Sequence, residues 1–125
     1  MNKVELFNLP LHRDERGNLV SLEFSMLPFT PQRIYYLYDV TALRGGHAHR
    51  DEHELFVCIK GSFEAKIHDG NEWKTYLLDA PGQALYNSPM IWHQFENFSS
   101  DAVMLAVSST PYDPDRKGYI MDNGL

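Results

Sequence analysis

Two histidines separated by one residue, His47 and His49, open the chemistry that this chain can do. On an extended strand, side chains two apart leave the same face, so both imidazoles can converge on one bound molecule or one ion. Histidine is also the side chain whose ordinary pKa lies near neutrality, which suits it to taking and returning protons. Glu54 follows at an odd offset from His49 and would face the other way on an unbroken strand. A polar turn at residues 50–52 brings it back. Beyond it, Leu55-Phe56-Val57-Cys58-Ile59 is a continuous apolar run that Gly61 closes. The stretch reads as strand, polar turn, buried strand, glycine turn.

The elements that must hold these groups are nearly all strands. Arg33–Tyr38 is aromatic and β-branched, with Arg33 and Tyr35 on one face and Ile34, Tyr36 and Tyr38 on the other. Strands are expected at residues 4–9 and at 19–24, the latter alternating Leu19, Ser21 and Glu23 against Val20, Leu22 and Phe24 in a half-buried pattern. A turn falls at residues 14–18. Pro28 and Pro31 bracket a connector able to cross to a second subunit. Phe63–His68 and Trp73–Leu78 flank Asp69-Gly70, a hairpin signal. Residues 83–86 and 91–98 follow as strands, with Ile91, His93 and Phe95 on one face, and then Val103–Ser108. A short helical turn is expected within residues 111–125.

Many short strands with frequent turn signals, and no long segment of helical period, define a sandwich or barrel. A small β-barrel has an interior lined by alternate residues of each strand, and a ligand can sit in its mouth. Directing Arg33, Tyr35, His47, His49 and His93 inward gives a polar, titratable cluster in an apolar cavity. Such a cluster costs stability unless its members are paired, so it points to function. His12, His53 and His68 carry no such pattern and read as ordinary surface or core histidines.

The 125 residues are expected to form one domain, 1–125, large enough for a true core. A net charge of −6 without a basic cluster argues against nucleic acid as a partner, while leaving room for an anionic ligand held by a few arginines. The one cysteine, Cys58, sits in an apolar run, which points to a reducing compartment without a disulfide framework. No basic-then-apolar leader opens the chain and no stretch approaches a membrane span, so no membrane partner and a cytoplasmic location are expected.

His47, His49, Glu54 and Gly61 fit the first cupin signature, and Gly82, Pro89, His93 and Asn97 fit a looser form of the second. Within cupins, the Arg-Gly-Gly-His-Ala-His block resembles the WxcM-like nucleotide-sugar 3,4-ketoisomerases. Arg33-Ile34-Tyr35-Tyr36, Asp79-Ala80-Pro81, Leu85-Tyr86, Trp92-His93 and Phe98-Ser99-Ser100-Asp101 extend the resemblance over nearly the whole chain. It implies an all-β, single-domain cupin jelly-roll β-barrel, a homodimer with exchanged N-terminal strands, and no cofactor. The implied substrate is a thymidine-diphosphate sugar, the 4-keto-6-deoxyglucose form, on the way to an aminated sugar of a surface glycan.

The resemblance also implies roles. His47 is the proton-abstracting base, Tyr35 relays a proton at the neighbouring carbon, and His49 completes the catalytic group. Arg16 and Arg44 contact the nucleotide sugar, Tyr86 lines the same pocket, and Arg33, Trp92 and His93 add substrate contacts. Two departures stand out. The connection from Asp39 to Arg44 is short for the family, and His53-Glu54 stands where the family tends towards Glu-Gln. That glutamate completes a possible metal quartet of His47, His49, Glu54 and His93, suited to Zn, Mn, Fe or Ni. The alternatives are therefore a metal-dependent cupin, isomerase or dioxygenase, and a non-enzymatic sugar-binding cupin.

Overall fold

The computed structural model describes residues 3–121. Its strands in chain order are β1 (Val4–Asn8), β2 (Leu11–Asp14), β3 (Gly17–Val20), β4 (Arg33–Tyr38), β5 (Arg44–His49), β6 (Glu54–Lys60), β7 (Phe63–His68), β8 (Trp73–Leu78), β9 (Gln83–Asn87), β10 (Trp92–Glu96), β11 (Val103–Ser108) and β12 (Tyr119–Ile120). Two five-stranded sheets, ordered β1-β9-β6-β11-β4 and β12-β5-β10-β7-β8, pack face to face as a jelly-roll sandwich, with β2–β3 as a separate hairpin. Neighbours in both sheets run antiparallel. No helix among the described residues is long and apolar enough to cross a membrane.

Strand β6 explains why its sequence is continuously apolar. Phe56 and Cys58 point between the sheets and join Phe63, Ile67, Leu85, Phe95 and Met104 in the main core. Leu55 and Val57 point the other way, where Leu9, Val20, Leu22, Leu27, Phe29 and Tyr86 cover them. Burial on both faces removes the usual alternation. Leu55 and Phe56 are fully shielded, each worth about 1.5–3 kcal/mol of transfer free energy.

The cover over the outer face is the chain's own proline-bracketed connector. Phe29 stacks against His53 at 5.7 Å and Tyr86 at 6.0 Å between ring centroids. Here the connector folds back on its own sheet, and β1 pairs with β9 of the same chain.

Two expected elements differ. The strand anticipated at 19–24 ends at Val20, and Phe24–Met26 forms a 3-10 turn. Val20 and Leu22, one half of the alternation, do pack inward, but Phe24 is exposed. Alternation records which side chains share a side and cannot tell whether a partner strand runs alongside. In place of the helical turn expected after residue 111, the chain runs through turns into β12, which pairs with β5 through Tyr119 opposite His49. The last four residues of that expectation lie outside the described residues.

Candidate active site

Register places the site at one end of the sandwich. Arg33, Ser108, Glu54 and Asn87 stand opposite one another in a single row across β4, β11, β6 and β9. Directly opposed residues share a face. The next row on that face is Tyr35, Ala106, Phe56 and Leu85. A polar row thus lies above an apolar floor. From the other sheet, His47 and His93 are paired across β5 and β10.

The glycines before the histidines make this possible. β5 carries one more residue than β10 between the pairs His47↔His93 and Gly45↔Gln94, a bulge that bends the strand. Gly45 and Gly46 adopt φ of 80° and 81°, the left-handed region that side chains disfavour. A Cβ on Gly45 would lie 3.0 Å from the His93 carbonyl oxygen.

Three imidazoles converge there. Ring centroids are 4.6 Å apart for His47–His49, 4.8 Å for His47–His93 and 5.4 Å for His49–His93. Tyr119 caps them, 4.8 Å from His47 and 4.4 Å from His49. The polar turn does return Glu54 to the cluster, with its Oε1 at 3.0 Å from His49 Nε2 and 3.4 Å from His93 Nε2. Its Oε2 accepts the Tyr35 hydroxyl at 2.7 Å. Glu52 approaches His49 from the other side, Oε1 to Nδ1 at 3.3 Å. His93 Nδ1 meets the Ile91 carbonyl at 3.2 Å, an acceptor that keeps a proton on that nitrogen. His47 has no hydrogen bond or ion pair with the described residues.

Burial and neighbouring charge set the protonation of the group. Burial pushes His47 down to about 3, helped by the charges of His93 and His49, so its imidazole is neutral at working pH. Burial lowers His93 against the pull of Glu54. For Glu54, burial acts upward, but the His49 contact, the His93 and His49 charges and the Tyr35 hydroxyl outweigh it and hold the carboxyl down to about 2. Burial and the Glu54 charge raise Tyr35 well above the usual phenol value, keeping its proton in place. Burial and Glu54 likewise raise Glu52, opposed by Ser108, His49 and Arg33.

Tyr35, His47, His49, Glu54 and His93 line a cavity of about 370 Å³ with Arg33, Arg44, Tyr112, Arg116 and Tyr119. His49 and Tyr119 also border a neighbouring hollow of about 410 Å³, and Glu52 lines only that hollow. Seven of the residues singled out from the sequence therefore meet: Tyr35, His47, His49, Glu54, His93, Arg33 and Arg44.

Three others do not reach this chain's cavity. Arg16 tips the β2–β3 hairpin, 85% exposed, bound to Asp14 at 2.6 Å. Tyr86 follows inward-facing Leu85 and so points to the outer face, where its hydroxyl meets His53 Nδ1 at 2.7 Å. Trp92 precedes inward-facing His93 and takes the opposite face by the same period, donating to Gln94 at 3.1 Å. Glu52, Tyr112, Arg116 and Tyr119 join the site without having been singled out from the sequence. For Glu52 the signal was a carboxylate two residues from Glu54 in the returning turn; the two-residue strand carrying Tyr119 gives none.

The His47, His49 and His93 ligand atoms lie within 4.8 Å of one another, as do those of His49, Glu52 and Glu54. The first set has the imidazole chemistry of a borderline divalent ion. Glu54 belongs to the second set and not to the first, so the expected quartet is divided between two overlapping triads.

A jelly roll with a histidine-lined mouth at one end defines a cupin. More narrowly, the chain belongs to the family described as FdtA, WxcM-like, C-terminal, whose model matches residues 2–124. It is 40% identical over 103 residues to a TDP-4-oxo-6-deoxy-alpha-D-glucose-3,4-oxoisomerase of Aneurinibacillus thermoaerophilus, covering 80% of this chain and 74% of that one. The fold matches the sugar 3,4-ketoisomerase QdtA of Thermoanaerobacterium thermosaccharolyticum, solved with TDP, at a TM-score of 0.90 and 29% identity over 97% of this chain and 89% of that one. It also matches the WlaRB TDP-quinovose 3,4-ketoisomerase of Campylobacter jejuni at 0.88 and 32% identity, over 95% and 92%.

Proposed function

We propose that this chain is a sugar-nucleotide 3,4-ketoisomerase acting on a thymidine-diphosphate 4-keto-6-deoxyglucose, with His47 as the proton-abstracting base. The observation that carries the reading is the unengaged, neutral His47 beside a phenol and two further imidazoles in one cavity. The substrate class comes from the relatives' own.

The chemistry balances within the sugar. His47 takes the proton at C3, the electron pair of that bond forms the C3–C4 double bond, and the carbonyl oxygen at C4 gains a proton. The enediol then collapses the other way: a proton returns to C4, and O3 releases its own to become the ketone oxygen. C3 is oxidised and C4 reduced, with no external oxidant. Tyr35 already directs its proton to Glu54, so towards the cavity its oxygen presents lone pairs, able to receive the O3 hydroxyl. Arg44 and Arg116 have no ion-pair partner among the described residues and can meet the diphosphate, whose oxygens suit a guanidinium fork.

Incubating the protein with the 4-keto sugar nucleotide in D2O and following it by NMR tests this. A new 3-keto product with deuterium at C4 is expected. Binding with no turnover would favour a sugar-binding cupin instead.

A second reading rests on the three clustered imidazoles. A divalent ion held by His47, His49 and His93 would supply Lewis-acid polarisation of a carbonyl. Stoichiometric metal in protein purified without added ions, with turnover lost on chelation, selects this reading over the first.

The homodimer is also a proposal. Support comes from the exposed row Ile34, Tyr36 and Tyr38 on edge strand β4 and from exposed Leu11 and Leu19 on the hairpin. A sizing column reading twice 14.5 kDa is the expected result.

A further inference from the structure

We propose that Glu52 is a positioning residue for the isomerisation, anchored by Arg33 and Ser108 and holding His49 from the side opposite Glu54. The inference rests on the ketoisomerase reading and assigns work to a residue at a position that the first cupin signature leaves unspecified.

A carboxylate only 7% exposed must be paired to be tolerated. Glu52 is paired three ways. Ser108 Oγ donates to its Oε2 at 2.5 Å and Arg33 Nη2 to the same oxygen at 3.0 Å, which leaves Oε1 against His49 Nδ1. The anchors belong to the fold: Arg33 and Ser108 are opposed across β4 and β11 in the same row as Glu54. The loop bearing Glu52 is pinned as well. Arg50 N donates to the Gly118 carbonyl at 2.8 Å, Ser109 N to the His53 carbonyl at 3.0 Å, and His53 N to Ser109 Oγ at 2.8 Å.

The consequence is a division of labour between the two neighbouring histidines. His49 is faced by a carboxylate at each ring nitrogen, 3.3 Å and 3.0 Å away, and Glu54 continues the line to the Tyr35 hydroxyl. The line runs Arg33–Glu52–His49–Glu54–Tyr35. It leaves His47 as the imidazole free for the substrate and fixes where the phenol oxygen lies. It also changes the reading of Arg33. Its guanidinium is bound to Glu52 and lies over the Tyr35 ring at 5.2 Å, so it acts as a strut of the site more than as a clamp on the sugar nucleotide.

Steady-state kinetics of Glu52→Gln test the proposal. The amide keeps the shape and removes the charge that grips Nδ1. Misplacing a reacting group by about 1 Å costs on the order of 100-fold, and a smaller shift on the order of 10-fold. The expected result is a fall in kcat in that range with KM within about 2-fold, together with shifted His49 ring nitrogen resonances and unshifted ones for His47. An unchanged kcat overturns the proposal. So does a rise in KM without loss of kcat, which would make the Arg33–Glu52 pair a substrate contact.

Should Glu52→Gln fail to fold, Ser108→Ala reads the same line one step further out, because it loosens the carboxylate and keeps it. A several-fold lower kcat at constant KM is then expected, and wild-type kcat overturns the proposal. Wild-type protein with no isomerase activity would instead strike the functional reading. The His49 resonances in Glu52→Gln would still report whether the grip exists.

Discussion

His47 and His49 sit two residues apart on one strand, yet their surroundings give them different work. Burial with two imidazole neighbours keeps His47 neutral and without a hydrogen-bond partner among the described residues, whereas carboxylates flank His49 on both sides. A general base needs a free lone pair within reach of the proton it removes, and of the three clustered imidazoles only His47 meets this without breaking a contact among the described residues. The expected outcome for His47→Asn is a fall in kcat of about 10²- to 10⁴-fold, the usual worth of a positioned base. Asparagine is smaller and polar, so the pocket keeps its rim arginines. TDP affinity by calorimetry should stay within a few-fold of wild type. Retained turnover in that variant removes His47 as the base.

The elements that hold these side chains were legible where alternation and partners agree. Arg33–Tyr38, Phe63–His68, Trp73–Leu78 and Val103–Ser108 run as their residue pattern indicates, because each lies between or beside strands that bury one of its faces. The double-sided burial of β6 was legible too, in its unbroken apolar run. What escaped was what period 2 alone cannot assign. Tyr86 and Trp92 flank inward residues and point away from this chain's cavity. Tyr119 reaches the site on a strand too short to show a period, and Glu52 reaches it on a loop. The glycine bulge is the element-scale feature on which the cluster depends. Gly45→Ala places a Cβ 3.0 Å from a backbone oxygen at φ of 80°, where L-residues lose about 1–2 kcal/mol. A stability loss of at least that size by urea denaturation is expected, with reduced kcat because His93 pairs beside the bulge. Gly82→Ala is the control: its Cβ would meet nothing within 4 Å, and a change within about 0.5 kcal/mol is expected.

At the scale of the whole molecule, the polar end of the sandwich is built against the preference of its core, and acidity should expose the cost. His47 and His93, held below their ordinary value by burial, stay neutral in the folded protein while the unfolded chain takes up protons as pH falls through about 6.5. In that window the unfolded state binds more protons, so stability is full above it and drains as pH drops, for His47 until about 3. His53, also lowered by burial, adds in the same direction. Glu54, held down to about 2, extends the loss below the ordinary carboxylate range. Glu52 has the opposite sign: raised by burial, it favours the fold below its ordinary value and ceases to do so as pH rises through its folded one. Three histidines acting together outweigh one carboxylate between pH 6.5 and 5. The melting temperature should therefore be level from pH 8 to 7 and fall steadily from 6.5 towards 5. His47→Asn should make the descent shallower, since it removes one of the groups that must charge. A melting temperature that holds or climbs on acidification across that interval would mean that the imidazoles are already protonated in the fold, and His47 would then have no lone pair with which to begin the reaction.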